Sequence, residues 1–292
     1  MKHILSVRHS MAALAALAVL CAFPAPAGAE DLLHPAYKTQ TVGVCPSERS
    51  DATGPRFKCS RARMLYPQYK NKNVRWMNHL IAQSVMLPMF SRVLEKPQPP
   101  LTANENPDTR YKKLLQKMIR DSQNARLIEF SVKLTGTDAD NLSQETGQLR
   151  PEQFGPYLQF ALAYSLNQEE AANSAPELGG FVVIDTVGRK LATLDELIVP
   201  GQTDALAALQ RDAFRDWLRE EQQFSDADID AHLADATFAF HPSKNWRIAA
   251  DGLIFHYDMY EIGPRVFGAP EFLIAKDRLQ GIVKPEVLRA MP

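Results

Sequence analysis

The chain has 292 residues, 45% of them hydrophobic and 23% charged, with a formal net charge of −1. These fractions are ordinary for a globular protein, and neither an internal repeat nor a low-complexity tract occurs. No basic stripe with interleaved aromatics points to nucleic acid. The near-zero net charge hides a polarity. Asp31 to Arg126 carries 17 Lys and Arg against 7 Asp and Glu, and Leu127 to Pro292 carries 14 against 26.

In chain order, Lys2, His3, Arg8 and His9 make a basic start, followed by the apolar run Met11–Phe23 and the small-residue site Ala27-Gly28-Ala29. This is the pattern of a cleavable signal peptide over residues 1–29. The 13-residue run is too short for a membrane span, which needs about twenty apolar residues. Leu20 stands before Cys21 where a lipoprotein signal wants a small residue. The expectation is a periplasmic protein whose mature chain starts at Glu30, with no stable membrane insertion. Residues 30–60 read as an irregular extension, punctuated by Pro35, Pro46, Gly54 and Pro55. Cys45 and Cys59 are the cysteines that survive cleavage. In an oxidising compartment the simplest reading is a disulfide, closing a loop of about fifteen residues and contributing roughly 3 kcal/mol in the chain-entropy model.

Residues 61–292 form the main domain. Met77, Ile81 and Val85 predict a helix from about Val74 to Leu94, which Pro88 should kink or end. After the stiff Lys96–Pro100 linker, Tyr111, Leu114, Leu115, Met118 and Ile119 mark a second helix from about Asp108 to Gln123. The period then drops to two. Strands are predicted over Ile128–Leu134 and Tyr157–Asn167, with a hairpin through Phe181–Thr186 and Leu191–Thr193. Thr203 is read as the N-cap of a helix to about Gln222, and Ser225 caps a short acidic one to about Ala234. Phe238 begins the last sheet region. There Trp246–Ala249 and Leu253–Tyr257 flank the turn Ala250-Asp251-Gly252, and Glu271–Ala275 closes the sheet. The class is α+β, a largely antiparallel sheet with helices packed on one face, preceded by the disulfide-stapled segment.

Catalytic signatures are missing: no GxSxG elbow, Ser-x-x-Lys, HExxH or glycine-rich phosphate loop occurs. His34, His79, His232, His241 and His256 are scattered without ligand spacing, and His79 and His256 read as structural. Asp226, Asp228 and Asp230 alternate as at the start of an EF-hand loop, but the loop glycine and closing glutamate are missing. No metal or cofactor is implied.

The C-terminal stretch from Asn245-Trp246-Arg247 through Tyr260-Glu261-Ile262-Gly263-Pro264 to Gly268-Ala269-Pro270-Glu271 resembles the closing motif of the RsiV-like family. Tyr66-Pro67-Gln68-Tyr69 with Asn73 and Asn78, Leu158–Leu166, and Phe181–Leu197 are similar to its other elements, in order. A histidine that many members carry before the third strand is replaced here by Leu178-Gly179-Gly180 running into Phe181. The resemblance implies an extracytoplasmic, non-catalytic binding domain. In the namesake anti-sigma factor this domain receives lysozyme, and elsewhere it accompanies a peptidoglycan deacetylase. Within the motif Gly263, Pro264 and Gly268 should shape turns, Tyr260 and Ile262 should pack, and Trp246 and Phe255 should fill a sheet face.

The resulting expectation is a periplasmic binding protein for a lysozyme-type muramidase or another envelope protein. Its acidic second half, with Glu220, Glu221, Asp226 and Asp228 as the candidate surface, would attract a basic partner. The rival expectation is a hydrolase acting on peptidoglycan or glycan, to be recognised by a pocket where carboxylates or histidines converge with shifted pKa values.

Overall fold

The computed structural model describes residues 29–44, 60–122, 127–137, 150–168 and 178–292. The expected signal segment, apart from its last residue Ala29, lies outside them, as do Cys45 and Cys59. Helix α1 (Ala29–Leu33) leads into β1 (Ala36–Val44), which pairs antiparallel with β2 (Ser60–Gln68) from Ala36↔Gln68 to Val44↔Ser60. Ala36–Val44 is therefore an edge strand of the main sheet, not irregular chain. Its alternating small, polar and aromatic residues make no apolar stripe, so only the pairing with β2 reveals it. In β2 itself, Ala62, Met64 and Tyr66 point inward between Arg61, Arg63 and Leu65.

The first predicted helix is three pieces: α2 (Trp76–Ile81), a π turn (Ala82–Met86) and α3 (Leu87–Val93). Pro88 has no N–H to return to the preceding turn. The chain absorbs this by widening, with Leu87 N–H donating to the Ala82 carbonyl, and continues as helix. Helix α4 (Pro107–Ser122) follows.

Strands β3 (Leu127–Thr135), β4 (Glu152–Phe154), β5 (Tyr157–Gln168), β6 (Leu178–Asp185) and β7 (Lys190–Leu191) complete a seven-stranded sheet of order β1-β2-β3-β5-β6-β7, with β4 on β5. All its pairings are antiparallel except β2 with β3. That pair is joined by the long α2–α4 connection a parallel crossover requires. Phe130, Val132, Leu158, Phe160, Val182 and Ile184 face one way, into a core shared with α2–α4.

The second half builds its own layer on the other face. Helices α5 (Leu194–Leu197), α6 (Thr203–Glu220) and α7 (Asp226–Ala234) precede a three-stranded antiparallel sheet of β8 (Trp246–Ala249), β9 (Gly252–His256) and β10 (Glu271–Ala275); α8 (Pro285–Ala290) ends the chain. The expectation of one sheet is thus corrected to two. Phe238 ends a 3-10 turn, and the last sheet region starts only at Trp246. The hairpin turn is Ala250-Asp251, because Ala249 pairs with Gly252. Gly252 is a strand residue under β10, where a Cβ would stand 2.1 Å from the Ile274 carbonyl oxygen.

Gln159 joins the two layers. It points away from the α2–α4 core, is 0% exposed, accepts from Ile248 N–H at 2.6 Å and donates to Ile248 C=O at 2.9 Å. Its amide thereby supplies β8 with the backbone-like partner that an edge strand lacks. Among the described residues, no helix is long and apolar enough to cross a membrane.

Candidate functional site

Three polar regions stand out. The first is the acidic face of α6 and α7. Leu206, Phe214 and Leu218 turn inward from α6, and Ile229 from α7. Between Thr203 and Asp235 nine acidic residues stand against three arginines, a net of −6 with histidine neutral, and all nine are exposed. Ser225 and Asp228 form a reciprocal cap: Asp228 N–H donates to Ser225 Oγ at 3.3 Å, and Ser225 N–H donates to Asp228 Oδ2 at 3.1 Å. The bonds from Ser225 hold the Asp228 carboxyl below its usual pKa. Arg219 bridges Asp216 and Asp226, both at 3.0 Å, and Arg215 meets Asp230 at 2.9 Å. Two of the four candidate surface residues, Asp226 and Asp228, therefore have partners within the molecule. Glu220 and Glu221 lie exposed at the end of α6, and no hydrogen bond or ion pair engages their carboxylates among the described residues. Asp226, Asp228 and Asp230 serve Arg219, Ser225 and Arg215 separately. Among the described residues, no three His, Cys, Asp or Glu side chains are placed to share a metal ion.

The second region lies where the two sheets meet. His256 on β9 stands opposite Glu271 on β10 in the strand register, with Nδ1 at 3.2 Å from Glu271 Oε1. Its Nε2 is 3.6 Å from Asp258 Oδ1, too long for a hydrogen bond, so Asp258 acts on the ring as a nearby charge. Arg247 continues the chain of charges, 3.9 Å from Glu271 and 3.8 Å from Glu152, with its guanidinium over the Phe181 ring. Burial alone would lower the His256 pKa. The two carboxylates outweigh it and push the imidazole up to about 9. At neutral pH the ring is a cation between anions, a poor general base. Sequence spacing read His256 as structural but did not reveal its partners, because Glu271 comes beside it only through strand pairing. Gly179 and Gly180 pack tightly beside this region. Gly179 N–H donates to Asp258 Oδ1 at 3.1 Å, and a Cβ on Gly180 would stand 2.6 Å from the Asn245 amide nitrogen.

The third region is a shallow pocket beside the start of α4, lined by Tyr66, Gln68, Asn78, Asn106, Asp108 and Tyr111 among others. The Asp108 carboxylate accepts from Tyr66 OH and Gln68 Nε2, each at 2.8 Å, and pairs with Lys38. Burial, reinforced by Asp108, pushes the Tyr66 phenol above its usual pKa. Every oxygen of the carboxylate is thus already bound by β1 and β2, so Asp108 fixes α4 to the sheet.

In the closing motif Ile262, Trp246 and Phe255 are buried as expected. Tyr260 is not packed: it is 50% exposed, with φ +69°, a conformation rare for an aromatic residue. Glu261 bends back to accept from Asp258 N–H at 2.6 Å, and this local turn leaves Tyr260 outside.

No curated protein matches the chain. Two crystal structures share its fold. One, of a DUF3298 family protein from Pseudomonas aeruginosa, is 18% identical, with a TM-score of 0.57 over 87% of this chain and 96% of that one. The other, of a DUF3298 member from Bacteroides fragilis, is 12% identical, with a TM-score of 0.54 over 88% and 98%. Residues 195–277, from α5 through β10, match the family described as "Protein of unknown function (DUF3298)". The chain thus has the fold of DUF3298 proteins along most of its length, and carries their sequence pattern in its C-terminal layer.

Proposed function

We propose that this chain is an exported, non-catalytic binding protein of the cell envelope, of the RsiV-like kind, and that α6 and α7 receive a basic partner. A lysozyme-type muramidase is the first candidate. The observation that carries the proposal is the exposed net charge of −6 between Thr203 and Asp235, held on α6, which buries Leu206, Phe214 and Leu218, and on α7, which Ser225 caps. A rigid field of one sign speeds encounter with an opposite charge and selects against acidic partners. The state of His256 supports the non-catalytic part, since a protonated ring clasped by Glu271 and Asp258 serves packing between layers better than proton abstraction.

The test is binding of residues 29–292 to a purified lysozyme, followed kinetically from low to moderate salt. Association should slow as exposed charges are screened over about 8 Å at physiological ionic strength. Reversing Glu220, Glu221, Asp226 and Asp228 to lysine should slow it further, with little change in dissociation. Binding indifferent to salt and to these four changes would remove the site from α6–α7. Turnover of purified peptidoglycan, lost in His256→Gln, would replace the proposal with the hydrolase. Export is checked separately by the N-terminal residue of the protein from its own cell, expected to be Glu30.

A further inference from the structure

Helix α4 turns Tyr111, Leu114, Leu115, Met118 and Ile119 into the core. From Thr109 to Arg120 it carries no acidic residue; Arg110 is half-buried and pairs with Glu105 at 3.3 Å, and the rest of the surface carries Lys112, Lys113, Lys117 and Arg120. Lys112, Lys113 and Arg120 are exposed, and no ion pair engages them among the described residues. The chain leaving β2, tied to the start of α4 through Gln68 and Asp108, adds exposed Lys70 and Lys72. Contrast this with α6–α7, where arginines already offset several of the acids.

The two charged regions face apart. On β6, Val182 and Ile184 enter the core beneath α2–α4, whereas Val183 enters the core shared with α6 and α7. Successive strand residues point to opposite faces. Cationic α4 and the acidic helix pair therefore lie on opposite faces of the large sheet.

We infer that the outer face of α4 docks this protein on an anionic lipid bilayer, leaving α6–α7 turned away from it. The cations run from Lys112 to Arg120 along one side of the helix, about 12 Å at 1.5 Å per residue. That suits a flat charged plane. The face offers no exposed aromatic on which a base or sugar ring would stack. It offers no exposed apolar residue either, so attachment is electrostatic and peripheral, without insertion.

The test uses residues 29–292, which hold every described element, in flotation with vesicles of phosphatidylcholine alone or mixed with phosphatidylglycerol. Binding is expected only to the mixed vesicles and should be lost in high salt. The variant K112E/K113E/R120E, altered only at exposed positions, should keep its thermal unfolding and lose more than about a hundredfold in vesicle affinity, since removing the three cations alone accounts for about that much. The neutral version K112Q/K113Q/R120Q should fall between. Equal binding to both vesicle types, or an unchanged affinity in the reversed variant, would overturn the inference. So would binding to a soluble polyanion such as heparin with none to the mixed vesicles. The α4 variants leave α6–α7 intact, so failure here is distinguishable from failure of lysozyme binding.

Discussion

Replacing Gln159 with leucine should loosen the joint between the two layers. The side chain is fully buried, and its amide makes two hydrogen bonds to one backbone unit, 2.6 Å from Ile248 N–H and 2.9 Å to Ile248 C=O. Leucine is similar in size, so the change opens little cavity, but it leaves a donor and an acceptor without partners in a dry interior. Each buried unsatisfied group costs about 1–3 kcal/mol. Regaining apolar contact at residue 159 offsets part of that, for a net loss of about 3 kcal/mol. In a chain of this size that loss lowers Tm by roughly 6–12 °C. Urea unfolding followed by tryptophan fluorescence reads the stability, and hydrogen exchange at the Ile248 amide reads the mechanism. Its protection should fall more than that of amides inside β3. A leucine variant within about 0.5 kcal/mol of the parent, the range of an ordinary surface change, would refute the view that this amide joins the layers.

Two further outcomes are expected. The folded-state pKa of His256 is raised from 6.5 to about 9. Its contribution is therefore complete below about pH 6.5 and lost as pH rises through about 9, on the order of 3 kcal/mol at most. Urea unfolding between pH 6 and 10 should show this decline, and His256→Gln should flatten it; an unchanged slope would mean the ring does not hold its proton. Cys45 and Cys59 each follow or precede one member of the last described β1–β2 pair, Val44↔Ser60. Alkylation without reductant should leave both thiols unmodified, and reduction should cost about 3 kcal/mol; free thiols in protein isolated from its own cell would exclude the bond.

Elements defined by local chemistry were legible from the residues alone. Helix α4, the Ser225 cap and β10 follow from periodicity and capping, which need only neighbours a turn or two away. The acidic run over α6–α7 and the basic first half are equally plain in the sequence. Strand β1 has no apolar stripe to announce it. From sequence, Pro88 should kink or end its helix, but the chain widens into the π turn ahead of it and continues as helix. Division into two sheets, Gln159 as their joint and Glu271 beside His256 depend on contacts across the chain, 89 positions for Gln159 and Ile248 and 15 for His256 and Glu271. No local pattern encodes those pairings. Burial makes them decisive, because a polar group removed from water must find its partner wherever the tertiary fold places one.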